Sequence, residues 1–316
     1  MREVTVSINP TYYCNFSCNF CYLTPQQLRD RLTISSEQLE TRLQQITTHT
    51  KIKGIDLYGG EIGILKREEF YELKRTIKKY YTGSINIITN YSMIHDWFFD
   101  DDITLSVSYD FEAREKNETV YQNMLMAQKP LYVLVLASKK LIDLDVDSMI
   151  HELNMCSAVS SVEIKPYSTN QANCHSVSHR DFENFVIKWL ESPVEKKFEF
   201  INEYHIQDSL DKIYNSFSDD HVYITPKGNF AVLEFDLNDN EYFLELDSFE
   251  EYIAWAEKEK QSLSPICQSC PFKGHCLTEH YRYVRDLTNS CNGYRGLLEY
   301  YERMEDTSRD ISQTQY

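Results

Sequence analysis

The sequence has no apolar run long enough to cross a membrane, and no low-complexity linker or internal repeat divides its 316 residues. Its first residues, MREVTVSIN, alternate apolar and polar side chains like a short strand. They lack the charged start and apolar stretch of a signal peptide. We therefore predict a globular protein that stays in the cytoplasm and has no membrane partner.

Positive charge is scarce. The 32 Lys and Arg residues stand against 49 Asp and Glu residues, a formal net charge of −17. Repulsion between this charge and phosphate groups argues against a nucleic-acid partner. Two interpretations of the charge remain open: it keeps the protein soluble, or it attracts a cationic or neutral peptide.

Several common catalytic motifs are absent: we find no Ser-His-Asp arrangement, no Walker sequence and no dinucleotide-binding motif. Cysteine, by contrast, occurs nine times, and seven of these residues fall in two tight clusters. An odd number of cysteines in a long chain without a signal peptide argues against a disulfide framework. In a reducing compartment, clustered cysteines are more often metal ligands.

The first 170 residues alternate β-rich runs with segments of helical periodicity. We predict strands at 4–9, 54–60, 84–90, 103–110, 131–138 and 161–168, and helices at 35–48, 67–81, 118–128 and 146–153. Nearly continuous apolar strands are typical of a parallel sheet covered by helices. Six such units are too few for a closed barrel of eight. The predicted fold class is therefore α/β, with a partial (β/α)6 TIM-like barrel.

The pattern changes after residue 179. A helix at 181–191 leads to an extended segment at 198–202 and a hairpin at 222–235 that turns at Lys227-Gly228. A helix-rich region follows and carries the second cysteine cluster. We predict a barrel domain over 1–200, a small C-terminal domain over 201–305, and a polar, disordered tail over 306–316.

The first cluster, Cys14, Cys18 and Cys21, has the spacing C-x3-C-x2-C. A structural zinc site uses four protein ligands, and no His lies within 11–34 to supply the fourth. Three thiolates suit a 4Fe–4S cluster in which one iron stays open to another ligand.

This cluster and three later motifs together resemble the radical S-adenosylmethionine (SAM) superfamily. The first matching motif is the cysteine cluster, with Phe20 before its last cysteine. The other three are Tyr58-Gly59-Gly60-Glu61 (the family's GGE motif), Thr89-Asn90, and Ser108-Tyr109-Asp110 (a Ser-x-Asp strand end). The family often has Thr-Asn-Gly where this chain has Tyr91 after Asn90. All four motifs lie at or directly after the C-terminal ends of successive predicted strands, where parallel α/β folds bind their ligands.

The resemblance implies a role for each of these motifs. Cys14, Cys18 and Cys21 would hold three irons of the cluster, and the amino and carboxylate groups of SAM would chelate the fourth. Gly59 and Gly60 would let the backbone approach the SAM amino group, and Glu61 would accept a charge-assisted hydrogen bond from it. Phe20 would lie near the adenine, and Asn90 and Ser108 near the ribose or carboxylate. Taken alone, a tight turn explains the two glycines, and strand-end capping explains Asn90 and Ser108 equally well.

The second cluster has the spacing C-x2-C-x5-C with a fourth cysteine further on. Its members are Cys267, Cys270, Cys276 and Cys291. By itself it would suggest a four-cysteine zinc knuckle. Beside a radical SAM core it resembles the SPASM or twitch extension, which carries auxiliary 4Fe–4S clusters. Leu233 and His280 stand where the full SPASM pattern has cysteine, so the resemblance implies one auxiliary cluster, for electron transfer or for structural support.

Two cysteines lie outside the clusters. Cys156 follows an apolar helix, and we predict that it is a core thiol. Cys174 lies in a polar loop after the last barrel strand and is a candidate hydrogen-atom donor or extra ligand, unless it is an ordinary loop residue. Weaker candidates near the same face are His175, His179, His205 and Tyr167.

The resemblance also implies an activity, the reductive cleavage of SAM to a 5′-deoxyadenosyl radical that abstracts a substrate hydrogen. SPASM-type relatives mostly modify peptides, so we favour a maturase that introduces a cross-link, thioether, epimerisation or oxidation into a ribosomally made peptide. Its electron donor would be external, such as a flavodoxin or ferredoxin. Because the sequence starts with the first barrel strand, we expect a separate protein to bind any leader peptide. The alternatives are a dehydrogenase or decarboxylase of a small metabolite, and a non-catalytic metal-binding interaction protein.

Overall fold

The computed structural model describes residues 3–167, 177–233, 243–261, 265–278, 291 and 293–313. The strands are β1 (Val4–Ile8), β2 (Ile52–Leu57), β3 (Ile85–Thr89), β4 (Ile103–Ser108), β5 (Leu131–Leu136), β6 (Val159–Lys165), β7 (Glu199–Phe200), β8 (His221–Ile224), β9 (Phe230–Leu233) and β10 (Phe243–Leu246). The helices are α1 (Ser36–His49), α2 (Arg67–Lys78), α3 (Asn117–Leu125), α4 (Lys139–Ile142), α5 (Val146–Met155), α6 (His179–Glu191), α7 (Ile201–Leu210), α8 (Phe249–Gln261), α9 (Pro265–Gln268) and α10 (Arg295–Gln313).

The strands form one sheet in the order β10-β9-β8-β1-β2-β3-β4-β5-β6-β7. Neighbours from β1 to β6 pair in parallel and follow the order of the chain. The predicted α/β class with a partial TIM-like barrel is therefore confirmed. The carboxyl ends of β1 to β6 lie at one edge of the sheet.

Alternate residues along each strand serve different purposes. On β1, Val4, Val6 and Ile8 are fully buried, whereas Ser7 between them lines a cavity inside the sheet. Successive side chains of a strand point to opposite faces, so the helices cover one face and the cavity lies against the other. Helix α1 packs on the sheet through Leu39, Leu43 and Ile46.

Helix α1 begins with a capping box. The Gln38 backbone N–H donates to Ser35 Oγ over 3.1 Å, and the Ser35 N–H donates to Gln38 Oε1 over 3.0 Å. The same helix holds the hairpin, because Gln38 Nε2 donates to the Lys227 carbonyl over 3.1 Å. Arg42 Nη1 donates to the carbonyl of Asp247, just after β10.

The structure revises the C-terminal region. The predicted hairpin is present as β8 and β9 with Gly228 at φ +80°, but β8 also pairs in parallel with β1 and so extends the barrel sheet. Ile201, predicted as extended, instead begins α7. The backbone of α10 is helical to Gln313 and so extends into the polar tail predicted over 306–316, whose disorder stays a prediction. The division at residue 200 stays a prediction.

No helix within the described residues combines the length and apolar character that crossing a bilayer demands.

Replacing Ser35 with Ala should lower the free energy of unfolding by about 1 kcal/mol, because it removes the side-chain acceptor at the start of α1. Urea denaturation measures the change. Ser36→Ala is the matched control: Ser36 is already inside the helix, where alanine is favourable, so its effect should be near zero. Equal losses in both variants would contradict the capping argument.

Candidate active site

A cavity of about 500 Å³ opens at the carboxyl ends of the central strands. It brings together most of the residues that the motifs single out. Those that line it are Cys14, Cys18, Phe20, Cys21, Gly59, Gly60, Asn90 and Ser108. The three cysteines of the first cluster therefore face the same space as the polar ends of β2, β3 and β4.

The cysteine loop is held by its own backbone. The Cys14 N–H donates to the Leu28 carbonyl over 3.2 Å, and the Cys21 N–H donates to the Cys18 carbonyl over 3.1 Å. Burial raises the pKa of the Cys14 thiol to about 11 and that of the Cys21 thiol to about 12, and it also raises the pKa of Cys18. The free thiols are therefore protonated at neutral pH, and binding of a metal cluster must release protons.

Gly59 and Gly60 are required by the protein itself. Residues 11–13 cross directly over them: a Cβ on Gly60 would lie 2.3 Å from the carbonyl oxygens of both Tyr12 and Tyr13. A Cβ on Gly59, which has φ +149°, would lie 2.5 Å from the Thr11 carbonyl oxygen. The glycines thus allow the start of the cysteine loop to pack against the end of β2.

Glu61 does not line the cavity, although the GGE motif suggested a direct contact with SAM. Its carboxylate is 1% exposed and accepts three hydrogen bonds: from Thr89 Oγ1 over 2.6 Å, from the Gly63 N–H over 2.7 Å and from the Asn90 N–H over 2.7 Å. Burial raises its pKa. In this structure Glu61 ties the end of β2 to the end of β3.

Asn90 connects the cysteine loop to β3. Its Nδ2 donates to Asn15 Oδ1 over 2.8 Å, and its Oδ1 accepts from the Ser92 N–H over 3.0 Å. The next residue, Tyr91, is buried and has φ +53°, a left-handed conformation that suits glycine better. This conformation gives a physical reason for the glycine that the radical SAM pattern often has at that position.

Sequence reasoning missed Arg114, which also lines the cavity. Its guanidinium lies 5.3 Å from the centre of the Phe20 ring, and its Nη1 lies 3.7 Å from Cys18 Sγ. It forms an ion pair with Asp110, which is fully buried and also accepts a 2.6 Å hydrogen bond from the Leu136 N–H. The four-residue spacing from Asp110 to Arg114 was the available signal, because an acid and a base so spaced often pair.

The second cluster is assembled from separate segments. Cys267 and Cys276 are buried, and a Cβ on Gly293 would lie 2.8 Å from Cys276 Sγ and 3.5 Å from Cys291 Sγ. Burial, assisted by the neighbouring cysteines, raises the pKa of Cys267 to about 11. The segments are joined by a 3.2 Å hydrogen bond from the Leu277 N–H to the Gly293 carbonyl.

Across the part of the chain that the structure describes, no three His, Cys, Asp or Glu side chains converge as they would around one metal ion. A 4Fe–4S cluster does not require that convergence, because each thiolate binds a different iron. The first cluster fits such a group by its chemistry: three soft ligands face a shared cavity.

The remaining candidate residues from the sequence lie in different parts of the structure. Cys156 is 2% exposed, as predicted for a core thiol. Tyr167 lines the cavity, His205 Nδ1 lies 3.6 Å from Glu163 Oε1, and the His179 ring packs 5.9 Å from that of Tyr294. Cys174, His175 and His280 lie outside the described residues.

Residues 8–120 match a family of 4Fe–4S single-cluster domains. A curated relative, a "Probable GTP 3′,8-cyclase" of Thermoplasma volcanium, is 30% identical over 92 residues, which are 29% of this chain and 26% of that protein's length.

Solved structures extend the likeness to almost the whole chain. The structure of anSMEcpe with bound AdoMet and Cp18Cys peptide has a TM-score of 0.69 at 12% identity and covers 98% of this chain and 100% of that one. Streptococcus suis SuiB bound to S-adenosylmethionine has a TM-score of 0.65 at 15% identity, covering 90% and 76%. SuiB bound to the precursor peptide SuiA has a TM-score of 0.62 at 15% identity, covering 90% and 75%.

A partial parallel barrel carries three cysteines after its first strand, within the residues that match a 4Fe–4S single-cluster domain. The fold of almost the whole chain is similar to that of solved structures with bound AdoMet.

Replacing Gly60 with Ala should displace the cysteine loop, because the new Cβ would overlap two carbonyl oxygens. We expect loss of the iron held by the first three cysteines, about four atoms per chain after anaerobic reconstitution. Gly54→Ala within β2 is the control, since its Cβ would meet only the Thr5 side chain at 3.5 Å or more. Equal iron in the two variants would contradict this explanation of the motif.

Replacing Arg114 with Met should leave the buried Asp110 carboxylate without its cation. Removing one partner of a buried ion pair typically costs about 3 kcal/mol or more, which urea denaturation of the metal-free chain can measure. Arg67→Met is matched in chemistry and charge but removes an exposed pair with Asp96, so its cost should stay below about 1 kcal/mol. A small loss in Arg114→Met would show that Asp110 does not depend on this cation.

Proposed function

We propose that the chain is a radical SAM enzyme that modifies a ribosomally made peptide by a cross-link, thioether, epimerisation or oxidation. The observation that carries the proposal is the shared cavity. Cys14, Cys18 and Cys21 face it together with Asn90 and Ser108, so iron ligands and polar strand ends surround one space. A purely structural metal site has no need of that space.

Cys14, Cys18 and Cys21 would hold a 4Fe–4S cluster whose fourth iron takes SAM. When bound, the two cofactors supply a 5′-deoxyadenosyl radical that abstracts a hydrogen atom from the substrate. An external donor such as a flavodoxin or ferredoxin would provide the electron.

The protein's own residues position these groups. Phe20 presents a ring that Arg114 covers from one side, and Arg114 places a positive charge beside the Cys18 sulfur. Glu61 fixes the ends of β2 and β3 relative to each other, and this sets the position of Asn90. Preorganised groups of this kind avoid reorganisation at the moment of reaction.

Cys267, Cys270, Cys276 and Cys291 would hold one auxiliary 4Fe–4S cluster. Four protein thiolates would ligate it fully, so a role in electron transfer or structural support fits better than direct substrate binding.

A peptide substrate is supported by the structural neighbours, two of which carry a bound peptide. A separate leader-binding protein remains part of the proposal. The second candidate function is chemistry on a small metabolite, which is favoured by the match to a probable GTP 3′,8-cyclase over 92 residues.

Anaerobic reconstitution with iron and sulfide should give about eight iron atoms per chain, and SAM with dithionite should then yield 5′-deoxyadenosine. Replacing Cys14, Cys18 and Cys21 with Ala should abolish 5′-deoxyadenosine and leave about four iron atoms. Cys156→Ala is the control, because this core thiol lies outside both clusters and should leave iron and product unchanged. Bound zinc without SAM cleavage would favour the non-catalytic, metal-binding alternative.

A further inference from the structure

The cavity continues below the motif residues into a polar layer of the barrel interior. Its members are Ser7, Asp56, Asn86, Ser106 and His221, on β1, β2, β3, β4 and β8, and all of them line the cavity. Strand register places Ser7 opposite Asp56 and Asp56 opposite Asn86. Asp56 precedes Tyr58 by two residues and Asn86 precedes Asn90 by four, so the layer lies about 7–13 Å deeper along the strands.

Hydrogen bonds join the layer into one network. Asp56 Oδ1 accepts from Asn86 Nδ2 over 2.8 Å, and Asp56 Oδ2 accepts from Ser7 Oγ over 3.5 Å. Ser106 Oγ donates to Asn86 Oδ1 over 2.9 Å, and Ser7 Oγ lies 2.9 Å from His221 Nε2. These contacts fix the orientation of the Asp56 carboxylate across the barrel floor.

Asp56 differs from the other carboxylates of the cavity in its lack of a cationic partner among the described residues. Three described carboxylates line the cavity: Asp56, Asp110 and Glu163. Asp110 is paired with Arg114, and Glu163 Oε1 lies 2.8 Å from Lys165 Nζ. Asp56 receives bonds only from a neutral amide and a neutral hydroxyl, and it forms no ion pair within the described residues.

A polar layer of this kind is energetically unfavourable if its only role is to fill the barrel interior. Barrel interiors are typically packed with branched apolar side chains, whereas Asp56 is a half-buried carboxylate that lines the cavity. A carboxylate can accept about four hydrogen bonds, and the residues that the structure describes supply two to Asp56. The other acceptor sites of the Asp56 carboxylate are available to a ligand in the cavity, where the proposed reaction takes place.

We infer that Asp56 binds an ammonium or guanidinium group of the substrate. The inference rests on the proposed function, because it assigns the substrate class of that same cavity. The cation would replace the missing partner of Asp56 and leave the Asn86 and Ser7 contacts in place. It has two possible sources, a Lys or Arg side chain of a peptide and an amine on a small metabolite such as an amino sugar.

Equilibrium dialysis against the reconstituted full chain, without reductant, can test the inference. The peptide probes are N-acetyl-lysine N-methylamide and its neutral counterpart N-acetyl-norleucine N-methylamide. The metabolite probes are glucosamine and glucose. We expect at least one cationic probe to bind roughly ten- to hundredfold more tightly than its neutral counterpart, as a hydrogen-bonded charge typically provides. Preference for the lysine probe would identify a peptide source, and preference for glucosamine a metabolite source.

Asp56→Asn should abolish that preference. Asn can still accept from Asn86 and can donate to Ser7, so the network can persist while the charge is lost. Asp101→Asn is the matched control, because it changes the net charge equally at an exposed site and should preserve the preference.

Equal affinity of the wild-type chain for cationic and neutral probes would overturn the inference, as would an unchanged preference in Asp56→Asn. Dialysis needs no SAM cleavage, so either result would leave the proposed function intact. Absence of 5′-deoxyadenosine from wild-type protein would instead reject the function.

Discussion

The site depends on one close backbone crossing. Residues 11–13 lie over Gly59 and Gly60, where the Gly60 N–H donates to the Thr11 carbonyl and the Glu61 N–H donates to the Tyr13 carbonyl, each over 3.0 Å. Cys14 follows at once, so the position of the first cysteine is set by the end of β2. The two glycines therefore have a structural role in addition to any contact with a cofactor, because no side chain fits where the two backbone segments cross.

Buried charge is organised around this crossing in two different ways. Glu61 is buried, forms no ion pair within the described residues and is stabilised by two N–H groups and a hydroxyl, whereas Asp110 is buried with Arg114 as its partner. Both arrangements satisfy carboxylates that burial would otherwise penalise heavily. Asp56 differs from Asp110 because its hydrogen-bond donors are neutral, and it differs from Glu61 because it lines the cavity.

The sequence predicted the features that depend on local pattern. Apolar runs located the six parallel strands, and the motif order placed Cys14, Gly59, Asn90 and Ser108 around one cavity. It could not predict the pairing of β8 with β1, because Thr5 and His221 are more than two hundred residues apart. Nor could it predict that Glu61 turns into the protein, since the motif fixes residue type and not side-chain direction.

Polar residues at two depths along the strands have different contacts. The residues at or just after the carboxyl ends, such as Asn90 and Ser108, lie beside the cysteine loop, whereas Asn86 and Ser106 lie two or four residues deeper and contact Asp56 or one another. Even-numbered offsets keep both levels on the same face of the sheet. Substitutions at the deeper level can therefore change what the floor of the barrel recognises while the crossing at Gly59 and Gly60 stays intact. A partial barrel can in this way keep one cofactor site and vary its substrate.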